Sequence, residues 1–94
     1  MNAVIRDKVV LETADPVKLA AYLRSTNWSF RGAGRNQMSV WMKNDQSSGE
    51  ECEVLLPLHR EFRDYALRIS ELLQTLEVME QRSQLAIWSD LQIV

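Results

Sequence analysis

The chain has 94 residues, 46% of them apolar and 26% charged, with a net charge of −2. That composition describes one folded domain rather than a disordered chain, with room for a single core but not for a core plus a deep enzymatic cleft. One cysteine and one histidine exclude an intrachain disulfide and any four-ligand zinc site built from those residues.

No apolar run approaches the ~20 residues of a membrane span, and residues 1–8 lack the basic-then-apolar layout of a signal peptide. The expectation is a cytoplasmic protein with no metal and no cofactor. Along the chain, residues 4–13 end in a β-branched run that predicts a strand over Lys8–Glu12. Asp15-Pro16 then starts a helix: the aspartate accepts from the free amides of the first turn, and proline at the first helical position loses no bond. Leu19, Ala20, Tyr22 and Leu23 follow at helical spacing, and Ser25-Thr26-Asn27 ends the helix without a glycine.

Trp28 and Phe30 alternate with Ser29 and Arg31 as a short strand, and Gly32 to Asn36 is a turn. In Met38–Lys43, Met38, Val40 and Met42 share one face, and Ser39, Trp41 and Lys43 the other. A polar loop follows, then a strand over Glu53–Leu56 stopped by Pro57. From Arg60 to Arg82, Phe62, Tyr65, Ala66, Ile69, Leu72, Leu73, Leu76 and Met79 recur at three- and four-residue intervals. A helix of about 23 residues is about 35 Å long, more than the width of a small sheet. Part of its stripe is therefore expected to contact its own C-terminal segment or another subunit. Ser83 can cap a last short helix carrying Leu85, Trp88 and Leu91.

The summed order, β-α-β-β-β-α-α, predicts one α+β domain over residues 1–94, a small antiparallel sheet of about three to four strands packed on a long helix. The apolar end Leu91-Gln92-Ile93-Val94 points to a docked tail or to the N-terminal module of a longer protein.

Charge is sorted along the chain. Lys18, Arg24, Arg31, Arg35 and Lys43 occupy Pro16–Asn44, a stretch with no acid, whereas residues 45–64 hold six acids against two bases. Such a dipole marks a binding surface without naming the ligand. One reading is a complementary protein surface, self or acidic partner, using that patch and the helix residues Tyr65, Ile69, Leu72, Leu76 and Met79 with Trp88. The other is RNA: Lys18, Arg24, Arg31, Arg35 and Lys43 on phosphate, with Trp28, Phe30 and Trp41 interleaved to stack on bases.

Three short segments carry a family resemblance. Asn27-Trp28 closes the first helix, Gly34-Arg35-Asn36 forms the turn, and Val54-Leu55-Leu56-Pro57-Leu58-His59 ends the last strand. Over about residues 16–80 this pattern resembles the HicA family of bacterial toxins, small double-stranded-RNA-binding-like domains that cleave messenger RNA. The resemblance implies that fold and an RNA ligand held by Arg31, Arg35 and Lys43. It departs where the family's catalytic histidine stands, since the matching residue is Asn36, whose amide cannot exchange a proton near neutral pH. Residues 57–77 are also similar to N-terminal segments of larger uncharacterised bacterial proteins.

His59, the sole histidine, is the one candidate for catalysis, set against a plain surface role. Cys52 lies among Glu50, Glu51 and Glu53, which disfavour a thiolate. Gly32-x-Gly34 lacks the third glycine and following helix of a dinucleotide fingerprint. The reading is a non-catalytic protein-binding module of a bacterial oligomer or larger complex, with a HicA-like RNA-binding or RNA-cleaving domain as the alternative.

Overall fold

A computed structural model describes residues 7–34, 38–44, 49–61 and 63–93. Arg35, Asn36 and Phe62, singled out above, lie outside them. The elements run α1 (Lys8–Glu12), α2 (Pro16–Ser25), β1 (Ser29–Ala33), β2 (Met38–Asn44), β3 (Glu51–Pro57), α3 (Tyr65–Glu80) and α4 (Gln84–Ile93). The α+β class holds, with a sheet of three antiparallel strands in the order β1-β2-β3.

The first element is a helix, not the strand expected over Lys8–Glu12. Asp7 caps it, its side chain accepting from the Val9 amide at 2.9 Å. Val9 and Val10 are exposed, and the turn is held by burial of Leu11 and Ala14. Arg60 donates to the Glu12 carbonyl from Nε and Nη2, at 3.1 and 3.0 Å, and the Tyr65 hydroxyl donates to the Ala14 carbonyl at 2.6 Å. Local β propensity is weak enough for a cap and these anchors to override it.

α2 starts as read, with the Asp15 carboxylate accepting from the Val17 amide at 2.9 Å. It ends without glycine because Asn27 takes φ 74°, a left-handed conformation that asparagine tolerates better than most residues. The Trp28 amide then bonds back to the Leu23 carbonyl at 2.9 Å.

In the sheet, β2 pairs with β3 at seven consecutive positions, Met38↔Pro57 through Asn44↔Glu51. The β2 alternation sorts its faces as predicted. Trp41 joins Val54 and Leu56 in the core against the helices, while Val40, Met42, Glu53 and Leu55 stand on the opposite face. β1 is less regular, with a bulge between Phe30 and Gly32 and Gly32 at φ 115°.

The long helix is shorter than expected: α3 has 16 residues, about 24 Å, close to the ~23 Å of a seven-residue strand. It does not outrun its sheet. Residues 58–61 and 63–64 are a bend and turns before it, and Gln81 ends it in the left-handed region at φ 53°. Tyr65, Ile69, Leu72 and Leu76 are all 2% exposed or less, and Met79 and Trp88 pack against the same core. Of the six residues expected at a protein interface, Tyr65, Ile69, Leu72 and Leu76 therefore fill the inside of one chain and Met79 and Trp88 are half-buried at its margin, because α1, α4 and the sheet cover the stripe. Ser83 does cap α4, its hydroxyl accepting from the Ala86 amide at 3.1 Å. Among the α4 side chains described, Gln84, Ile87 and Leu91 are buried, while Leu85 is exposed.

Gln81 carries a testable cost, since a left-handed residue with a Cβ is strained by about 1–2 kcal/mol. Gln81→Gly is expected to raise unfolding free energy by about 0.5–1 kcal/mol, the gain being offset in part by the freer unfolded chain. A urea titration reads this as a higher midpoint at unchanged slope.

Candidate functional site

The described residues of the basic stretch, 16–34 and 38–44, build α2, β1 and β2. Trp41 is at their centre. The indole is 1% exposed and is fixed by a hydrogen bond from Nε1 to the Ser39 hydroxyl at 2.9 Å; that hydroxyl donates to the Leu56 carbonyl at 3.3 Å. Phe30 meets the ring edge-on, with centroids 5.4 Å apart and planes at 63°. The Arg24 guanidinium, from α2, lies 5.3 Å from the ring centroid. Phe30 is nonetheless 56% exposed. A large aromatic thus stands in solvent with its orientation set from behind.

The other bases are arranged differently from their order in the chain. Lys43 donates to the Thr26 carbonyl at 2.8 Å, neutralising the C-terminal end of α2, and sits 5.9 Å over the Trp28 ring. Arg31 meets the acidic segment, pairing with Glu51 at 3.5 Å with both side chains more than half exposed, a pair of small energetic weight. Sequence segregation of charge is therefore broken in space at this point. Arg31 and Lys43 do come together, lining a polar hollow of about 120 Å³ with Asn27, Ser29, Asn44 and Glu51. Lys18 is exposed on α2, and Arg35 lies outside the described residues.

His59 is exposed beside a hollow of about 530 Å³ lined also by Pro16, Val17, Leu58 and Glu61. Arg60, next to it, is turned to the Glu12 carbonyl. Among the described residues no group of three or more His, Cys, Asp and Glu is arranged to hold a metal, and no helix is long and apolar enough to cross a membrane. Cys52 is half-buried on β3 and packs against the core.

Two arrangements escaped sequence reasoning. The first is a polar chain tying α2 to the end of α3 and to α4. The Tyr22 hydroxyl donates to Glu80 at 2.5 Å and accepts from Arg82 at 3.3 Å, and Arg82 pairs with Asp90 at 2.7 Å. Burial, and then the Glu80 carboxylate, hold the Tyr22 phenol protonated well above the ordinary tyrosine range. The second is a groove of about 200 Å³ between the outer edge of β3 and the Arg68–Thr75 side of α3. Its only sequence signal is the spacing Arg68, Glu71, Leu72, Thr75, which puts these four residues on one helical face.

No protein-family model matches the chain, and no curated protein or solved structure matches it either.

Proposed function

We propose that this chain is a non-catalytic protein-binding module of a cytoplasmic bacterial assembly, presenting its Pro16–Asn44 surface to an acidic partner. The observation that carries the reading is Phe30, exposed on strand β1 while Trp41 and Arg24 fix its surroundings. Aromatic and arginine side chains concentrate the energy of protein interfaces, and a side chain held in place before binding loses less entropy on docking. Lys18 and Arg24 add positive charge that steers an acidic surface toward it. The apolar stripe of α3 plays no part in this reading, because it is core.

A photoreactive phenylalanine analogue at position 30, in the chain expressed in its native host, tests it. Irradiation is expected to yield a discrete protein adduct, weakened several-fold by Arg24→Ala, while the same analogue at Leu67, equally exposed at 56%, yields none. A nucleic-acid adduct, or no adduct above the Leu67 control, overturns the reading.

RNA binding is the second reading, favoured by one observation, the convergence of Arg31 and Lys43 on a single polar hollow. It predicts saturable binding of double-stranded RNA at 50 mM salt, weakening with a log–log slope of about −3.5 to −4.5 if all five basic residues contact phosphate. The protein-docking reading predicts no saturable binding.

A further inference from the structure

The two edges of the sheet are not equivalent. β1 is broken by its bulge and by Gly32, and a bulge makes an edge a poor template for a further strand. β3 is regular: all seven of its residues pair with β2 without interruption, so its outward backbone groups follow an unbroken two-residue repeat. The groove described above runs along this edge, bounded by residues 53–55 and by the stripe Arg68, Glu71, Leu72 and Thr75.

The rim of the groove carries one charge of each sign. Arg68 donates from Nη1 to Glu71 at 3.0 Å. Its Nε is buried and has no acceptor among the described residues, but the side chain as a whole is 36% exposed, so the outer end of the guanidinium is open to a carboxylate. The Glu71 side chain is 53% exposed. A patch of one sign repels its own copy, whereas a patch holding a cation and an anion on one helical turn is complementary to itself across a two-fold axis.

We infer that the β3 edge and the Arg68–Glu71 rim of α3 form an isologous interface with a second copy of this chain, joining two sheets into one six-stranded antiparallel sheet. Two acids on the strand weigh against some registers and are compatible with one centred on Val54. A two-fold at Glu53 sets that carboxylate opposite itself, which is unfavourable. A two-fold at Val54 sets Val54 opposite Val54, Glu53 opposite Leu55, Cys52 opposite Leu56 and Glu51 opposite Pro57. No like charges then face each other, and the apolar inner face of Val54 and Leu56 continues across the seam. Arg68 of each copy sets the exposed end of its guanidinium beside Glu71 of the other. This surface lies on the strand remote from Phe30, so the inference and the docking reading can fail separately.

Light scattering on the eluting full chain, loaded from about 10 to 500 µM, is expected to show twice the chain mass. Arg68→Glu is expected to weaken dimerisation by about tenfold or more, and Arg68→Glu with Glu71→Arg to restore it; both positions are at least 36% exposed, and circular dichroism reports that the fold is kept. A spin label on the lone Cys52 adds a distance, since Cys52 of the two copies lies four residues apart along the seam, about 15 Å between Cα atoms. A monomer at every loading overturns the inference. So does a dimer indifferent to Arg68→Glu, or one in which the charge swap does not rescue. A dimer whose label distance exceeds about 30 Å uses another surface and overturns it as well.

Discussion

Trp41→Ala is expected to lower the free energy of unfolding by about 3–5 kcal/mol, a large part of the roughly 5–15 kcal/mol that holds a domain together. The indole is 1% exposed and spans the sheet and helix layers, so truncation leaves a cavity that the surrounding strands cannot close. It also removes the donor to the Ser39 hydroxyl at 2.9 Å. Phe30, 5.4 Å away, and Arg24, at 5.3 Å, lose the surface that positions them. Trp41→Phe keeps an aromatic wall but not the hydrogen bond, and a loss of about 1–2 kcal/mol is expected. Urea titration of the three proteins measures these differences. A cost below about 1 kcal/mol for the alanine variant would contradict the central place given to this ring, and with it the support proposed for Phe30.

Raising the pH above 10 is expected to destabilise the fold through its two tyrosines. Burial pushes the Tyr65 phenol from 10.0 up to about 12, against a smaller opposing effect from Arg60, and its hydroxyl is committed to the Ala14 carbonyl at 2.6 Å. Tyr22 is shifted in the same direction, by burial first and then by Glu80. An unfolded tyrosine releases its proton near pH 10. Both contributions are therefore complete below pH 10 and are lost as pH rises, that of Tyr65 by about pH 12 and that of Tyr22 beyond it. For Tyr65 the loss across this window is about 2–3 kcal/mol. Tyr65→Phe removes that part of the pH dependence, at a cost near neutrality of about 1–3 kcal/mol for the unpaired carbonyl. Urea midpoints from pH 8 to 12 compare the two proteins, and the difference between them isolates Tyr65 from other groups that titrate there. Parallel profiles would contradict the assignment.

Much of the fold was legible because its signals are local. Asp15-Pro16 marked the start of α2, Ser83 the cap of α4, and alternation from Met38 to Lys43 the two faces of β2. Each rests on a hydrogen bond or a period within a few residues. Val9 and Val10 misled because β-branched residues favour strands only when a pleated surface receives them; here Asp7 and the burial of Leu11 gave the segment a single helical turn instead. The stripe from Tyr65 to Leu76 was read correctly as apolar and helical, but periodicity cannot say what a stripe packs against.

The candidate surface divides in the same way. A run of five basic residues was visible in order, yet whether they share a surface depends on strands brought together from distant parts of the chain. Pairing Arg31 with Glu51, seating Arg24 on Trp41 and turning Lys43 to the Thr26 carbonyl are contacts between residues 17–20 apart. By itself, then, the amino-acid order settled the order and type of the elements from α2 onward, though not the start of α3 or the buried face of α4, since backbone geometry and hydrogen bonding act over one or two turns. The closure of the chain around α3 settled which apolar faces are buried, which edge of the sheet stays regular, and which charges are left unpaired, since desolvation and ion pairing depend on neighbours that only the folded arrangement supplies.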